Sequence, residues 1–131
     1  MQDRSPRIGE SNTVSFTVEQ KHAITFAGDE AEISVLSTPS LIWFLEQAAL
    51  QFLNPSLDEQ SLSVGTQVDL EHLAPTLPGV TVNCTARLIY QDGSLYRFSV
   101  EAFADSEKIV KGLHSRRIIR TSQLLKRLRK H

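Results

Sequence analysis

Glu46 is the residue of this chain whose surroundings most demand a chemical reason. Its neighbours three and four positions away are Ile42, Trp43, Ala49 and Leu50, so on a helix it has no partner of opposite charge. A carboxylate withdrawn from water without a partner costs several kcal/mol or takes up a proton, so it is tolerated mainly where it is used or solvated by a cleft. In a cleft it can attack an electrophilic carbonyl or activate a water. The plainer alternatives are a rim carboxylate that reaches water, or one paired with an arginine from a strand. His72 closes the alternating apolar series Val68, Leu70, His72. It is either a satisfied residue at the rim of the core or, if it faces the same cavity as Glu46, a proton donor to a leaving group. Thr38 stands where the segment carrying Glu46 begins. Its hydroxyl is most simply an N-cap, although a hydroxyl beside free N–H groups at a helix start can also hold a carbonyl oxygen as it gains charge. Gly65 either lets a backbone amide approach a ligand or is a plain loop glycine.

These residues need elements to position them. Asn12 to Glu19 reads as a strand with Val14, Phe16 and Val18 on one face, and a second apolar segment runs from Ala23 to Phe26. An acidic link, Gly28 to Glu32, precedes Ser37-Thr38-Pro39-Ser40, which offers a cap and a proline suited to the first helical turn. The helix predicted from Pro39 to about Asn54 ends at Asn54-Pro55. Leu41, Ile42, Leu45, Ala48, Ala49, Phe52 and Leu53 leave it a narrow polar stripe of Ser40, Gln47, Gln51 and Asn54, and Glu46 falls roughly 110° from the centre of that stripe.

Beyond the helix the period changes to two. Thr66, Val68, Leu70 and His72 form the dry side of a strand from Val64 to Leu73. Val80 to Tyr90 alternates as a long strand, Gln91-Asp92-Gly93-Ser94 makes a hairpin turn, and strands from Leu95 to Phe103 and from Lys108 to Ile119 follow. Ser122 to His131 mixes leucines with Lys and Arg, as in a short basic amphipathic helix or a frayed end. The expected fold class is α+β, a curved antiparallel sheet wrapped around one central helix. The expected organisation is a flexible N-terminal extension at 1–10, one domain at 11–120 and a basic tail at 121–131.

The 131 residues carry 14 Lys and Arg against 15 Asp and Glu, so no global field draws the chain to nucleic acid or an anionic membrane. No apolar run approaches the roughly 20 residues needed to cross a bilayer, and Met1 to Glu10 has no apolar secretory core. A cytoplasmic, soluble protein is expected, with no membrane or nucleic-acid partner. Cys84 is the single cysteine and falls at a strand position suited to a small buried hydrophobe rather than a nucleophile. The four histidines show no ligand spacing with it or with one another, so no metal is expected.

Taken together, Val35-Leu36-Ser37-Thr38-Pro39-Ser40 leading to Leu45-Glu46, then Ser63-Val64-Gly65-Thr66, then His72-Leu73-Ala74-Pro75-Thr76-Leu77-Pro78-Gly79, resemble the fluoroacetyl-CoA thioesterase-like branch of the hotdog-fold superfamily. Gly112-Leu113-His114-Ser115-Arg116 is similar to that branch's Gly-Thr-His-Glu-Arg segment. The resemblance implies a hotdog fold, a catalytic group of Thr38, Glu46 and His72, a thioester-holding backbone at Gly65, and Arg116 near the site. It further implies an acyl-CoA substrate, no cofactor beyond the CoA of that substrate, and a homodimer whose sheets join edge to edge. The segment Phe26 to Leu36 is short and acidic where the fluoroacetate-specific member has a longer aromatic lid, so the acyl group is not carried over. The expected function is hydrolysis of a short or medium acyl-CoA, with Glu46 as nucleophile or general base. The alternative is a hotdog protein that binds acyl-CoA or a small apolar ligand without turnover. A third reading gives the basic cluster at Arg116, Arg117, Arg120, Lys126, Arg127, Arg129 and Lys130 a partner of its own.

Overall fold

The computed structural model describes residues 5–130. Strand β1 (Ser11–Thr17) leads through a 3-10 turn, Gln20–His22, into a hairpin of β2 (Ala23–Ala27) and β3 (Glu32–Leu36), then helix α1 (Thr38–Leu53). A second 3-10 turn at Asn54–Ser56 precedes β4 (Ser61–His72), β5 (Thr81–Asp92), β6 (Leu95–Ala104), β7 (Glu107–Arg120) and helix α2 (Thr121–Leu128). The main sheet has five strands in the order β1-β5-β6-β7-β4, and every pairing in it is antiparallel. The α+β architecture of an antiparallel sheet packed on one helix agrees with the sequence reading. Met1 to Arg4, part of the expected extension, and His131 of the expected tail lie outside the described residues. Within the described part of that extension, the Gly9 N–H donates to the Leu88 carbonyl at 2.8 Å.

The core lies between α1 and one face of the sheet. Leu41, Leu45, Ala48, Ala49 and Leu53 of α1 are buried against Val82, Cys84, Ala86 and Leu88 of β5 and Phe98, Val100 and Ala102 of β6. Each large apolar side chain so buried contributes about 1.5–3 kcal/mol. The two alanines admit the backbone of α1 to the sheet, and the Asn12 side-chain amide donates across the gap to the Ala48 carbonyl at 3.1 Å. Phe52 packs edge-on against Phe98 with centroids 5.5 Å apart. Cys84 is fully buried, and burial pushes its thiol up to about 12, so it is a core residue and an inert one.

Two features depart from the sequence reading. Glu32–Leu36 is a strand, antiparallel to β2 in a separate two-stranded sheet. Most of its length is exposed or half-buried, and only Leu36 is buried, so its apolar alternation is weak. The second departure is a register shift in β4 between Gly65 and Gln67. A bulge of this kind changes which residues face the core. Ser63 and Gly65 face α1 before it and Val68, Leu70 and His72 after it, while Thr66, expected on the dry face, is exposed and donates its hydroxyl to the Ser115 carbonyl at 3.2 Å.

Candidate active site

Two polar groups lie on the α1 side of the sheet. The first is at the start of α1. Ser37, whose backbone is extended at φ −76° and ψ 149°, is the N-cap, its hydroxyl accepting from the Ser40 N–H at 3.2 Å. The cap reading of Thr38 is therefore corrected. Thr38 is the first helical residue, and its hydroxyl is 2.9 Å from His72 Nδ1 instead. His72 sits at the last position of β4, half-buried, and its Nε2 is buried without a hydrogen-bond partner among the described residues. When the threonine hydroxyl donates to Nδ1, Nε2 carries the ring proton; when Nδ1–H donates, Nε2 is a free base. Either state leaves one imidazole nitrogen equipped for proton transfer.

The second group surrounds Glu46, eight residues further along α1 and so about 12 Å away along its axis. Its Oε2 is 3.5 Å from Arg116 Nη1, an ion pair in which the arginine side chain is 6% exposed and the carboxylate 35%. The pairing of Glu46 with a strand arginine, one of the sequence alternatives, is thus present, but the contact is long and the carboxylate keeps access to solvent. The guanidinium is fixed elsewhere. Its Nε donates to Ser63 Oγ and its Nη2 to the Ser63 carbonyl, both at 3.0 Å, and Nη1 lies 3.2 Å from His114 Nε2.

That last contact sets the state of His114. Arginine has only donors, so His114 Nε2 must accept, which leaves the ring proton on Nδ1 to donate to the Gln67 carbonyl at 2.9 Å. Burial holds the His114 pKa below its ordinary value, with the Arg116 charge acting the same way against the opposing influences of the Gln67 bond and Glu46. The imidazole is a neutral brace between the β4 bulge and the guanidinium. Burial also lowers the Arg116 pKa, opposed by Glu46. Gly65 completes the group, because a Cβ there would come within 2.9 Å of Glu46 Oε2, 3.2 Å of His114 and 3.3 Å of Arg116 Nη1. Only the missing side chain lets the carboxylate lie over exposed β4 backbone.

The structure therefore brings Glu46, Gly65 and Arg116 together, and separately Thr38 and His72. Among the described residues no hydrogen bond joins the two groups. Ser63 and His114 escaped assignment from sequence. A period of two along Gly112, His114 and Arg116 does place the histidine beside the arginine, whereas Ser63 depends on strand register and had no local signal. Among the described residues no three His, Cys, Asp or Glu side chains converge on a point that could hold a metal ion, and no helix is long and apolar enough to cross a membrane.

Comparison with known proteins adds to this geometry. Residues 18–122 match the FlK family, described as fluoroacetyl-CoA-specific thioesterase. The fluoroacetyl-CoA thioesterase of Streptantibioticus cattleyicolor is 30% identical over 118 residues, which cover 86% of this chain and 85% of that one. A solved structure of the fluoroacetyl-CoA thioesterase FlK superposes with a TM-score of 0.85 at 27% identity, covering 95% of this chain and 96% of the other. A hot-dog-like protein from Thermanaerovibrio acidaminovorans superposes with a TM-score of 0.84 at 24% identity over 94% of this chain and 90% of its own, a likeness of fold.

Proposed function

Because the chain belongs to the fluoroacetyl-CoA-specific thioesterase family, and is thereby a thioester hydrolase with a hotdog fold, we propose that it hydrolyses a short or medium acyl-CoA with Glu46 at the centre of the chemistry. The observation that carries this reading is the placement of the Glu46 carboxylate over Gly65, solvent-accessible and lightly held by a guanidinium that Ser63 and His114 already fix. Glu46 attacks the thioester carbonyl, expelling the thiolate as the C–S bond breaks and leaving a mixed anhydride that water hydrolyses, or it draws a proton from the attacking water and returns it to the thiolate as the C–S bond breaks. When His72 Nδ1–H donates to the Thr38 oxygen, the Thr38 hydroxyl proton joins the start of α1 in stabilising the oxyanion and His72 Nε2 orients the attacking water; when the hydroxyl donates to Nδ1, the helix start alone holds the oxyanion and Nε2–H hydrogen-bonds the departing sulfur.

One carbonyl carbon cannot lie against Glu46 and Thr38 of the same chain when about 12 Å of helix separates them. We therefore place the reaction between two copies. A two-fold axis near Ile42, midway between Thr38 and Glu46, sets one copy's Glu46 beside its partner's Thr38. Along β4, the point midway between Gly65 and His72 falls near Val68 and Asp69, so the same axis suits both elements. β4 is an outer strand of the sheet and Val68 is an exposed apolar residue on it, both of which favour edge-to-edge pairing of two copies there.

The 3.5 Å contact to Arg116 favours a second reading, in which Glu46 is a structural or recognition group and the protein binds acyl-CoA without turnover. Thiol release from a panel of acyl-CoAs of graded length separates the two. Glu46→Gln is expected to lower kcat by roughly a thousandfold or more on the preferred ester while leaving ester-induced thermal stabilisation in place. Near-normal turnover by the variant on every ester would remove Glu46 from the chemistry, and stabilisation of the wild type without thiol release would establish the binding protein.

A further inference from the structure

The last part of the chain carries a charge imbalance that the proposed chemistry does not use. From Lys108 onward the sequence holds nine of the 14 Lys and Arg and none of the 15 Asp and Glu. On α2 this becomes a built surface. A cavity of about 500 Å³ lies between α2 and the end of β7, lined by Ile119, Gln123, Leu124, Lys126, Arg127 and Lys130. Ile119 and Leu124 are half-buried and give it an apolar floor, while Lys126, Arg127 and Lys130 are exposed around it. None of these three cations forms an ion pair among the described residues, and the neighbouring Arg120 donates only to the Gln60 side-chain oxygen. Three cations without an ion-pair partner among the described residues, set around an apolar floor, suit a flat heterocycle bearing several phosphates.

We infer that this cavity takes the nucleotide end of coenzyme A, its purine on Ile119 and Leu124 and its 3′- and 5′-phosphates on Lys126, Arg127 and Lys130. The inference rests on the acyl-CoA reading and names the part of that substrate the helix recognises. The placement suits it. Arg116 of the Glu46 group and Thr121 at the start of α2 are five residues apart, about 16 Å of extended chain, a span of the order of an extended pantetheine arm. Thr121 is tied to the β4 side of the sheet by its N–H, which donates to the Gln60 carbonyl at 2.9 Å, so the arm follows the end where Ser61 pairs with Arg120. An acidic carrier protein or a nucleic acid would need a broad complementary face, whereas the cations here converge on a concavity. Solvent-exposed at the far end of the arm, they hold the nucleotide alike in the ground state and the transition state, so their loss is expected to fall on KM.

The test compares full-length wild type with the charge reversal Lys126→Glu/Arg127→Glu/Lys130→Glu, and with the milder Lys126→Gln/Arg127→Gln/Lys130→Gln as a control for folding. Substrates are acetyl-CoA and S-acetyl-pantetheine, which lacks the nucleotide. The charge reversal is expected to raise KM for acetyl-CoA by roughly tenfold or more, leaving kcat on both substrates and KM for S-acetyl-pantetheine unchanged. Calorimetry with adenosine 3′,5′-bisphosphate is expected to show binding to wild type, weakened by salt and lost in the reversal. If neither thioester is hydrolysed, the enzymatic reading fails while the calorimetry still judges the cavity. Equal KM changes on both substrates, absence of bisphosphate binding to wild type, or binding through α2 of a phosphopantetheinyl carrier protein or duplex DNA in its place would overturn the inference.

Discussion

His114 shows how much of the site rests on one proton. Its Nδ1–H holds the Gln67 carbonyl and its Nε2 accepts from Arg116, so the neutral ring aims a cation at Glu46. The charged groups facing it are Arg116 on its own strand and Glu46 from α1. With its folded pKa below the ordinary 6.5, the unfolded chain takes up a proton there that the folded chain refuses. The contribution to stability is therefore neutral above about 6.5 and increasingly unfavourable as pH falls below it toward the folded value. Urea denaturation at about pH 7.5 and 5.5 is expected to show a loss of stability at the lower pH that is smaller in His114→Gln, which keeps a donor and an acceptor but does not titrate. Equal losses in both proteins would contradict the assignment of a neutral brace. Gly65 gives a second check at this scale. In Gly65→Ala the new Cβ meets the movable end of Glu46 at 2.9 Å but also the fixed His114 and Arg116 side chains at 3.2 and 3.3 Å, so stability should fall by about 1–3 kcal/mol while kcat falls by roughly ten- to a hundredfold, the effect of misplacing a reacting group by about 1 Å. Unaltered kcat in a folded variant would show that the carboxylate is not used where it lies. Glu46 was legible as a residue because apolar helical neighbours are a local property. Its strand partner Arg116, and the Ser63 that fixes that arginine, follow from a register that hydrophobic alternation does not encode.

At the level of the elements, α1 was legible at both ends because Pro39 and Asn54-Pro55 punctuate it, yet the cap is Ser37 and not Thr38. The cause lies upstream. Without a strand signal in Glu32–Leu36, either hydroxyl of Ser37-Thr38 suits the cap; because β3 runs to Leu36, Ser37 is the extended residue at the junction and Thr38 is turned toward His72. The two positions should separate cleanly. Ser37→Ala is expected to lower stability by about 1 kcal/mol through the lost cap, with kcat retained. Thr38→Ala should change stability little and lower kcat, as judged by urea melts beside thiol release. Loss of stability in Thr38→Ala with kcat intact would return that hydroxyl to a structural role. The β4 bulge is the other element without a sequence signal. Gly65 hinted at it, but only pairing with β7 shows the phase change that puts Ser63 and Gly65 on the same side as His72.

For the whole molecule, the antiparallel sheet on one helix was legible because period-two patterning and a single long helical segment admit few arrangements. The separation of Thr38 from Glu46 was legible too, since eight residues of a helix span about 12 Å; which strand residues join each of them was not, because that depends on sheet register. That distance makes the account depend on two copies. The most direct measurement mixes two inactive variants, Glu46→Gln and His72→Ala, by reversible denaturation and refolding together, and follows thiol release on the preferred acyl-CoA. If one copy's Glu46 works with its partner's Thr38 and His72, half of the randomly formed dimers carry one intact site, and about a quarter of the wild-type activity should return. Mixtures no more active than the separate variants, although mixed dimers form, would contradict the account.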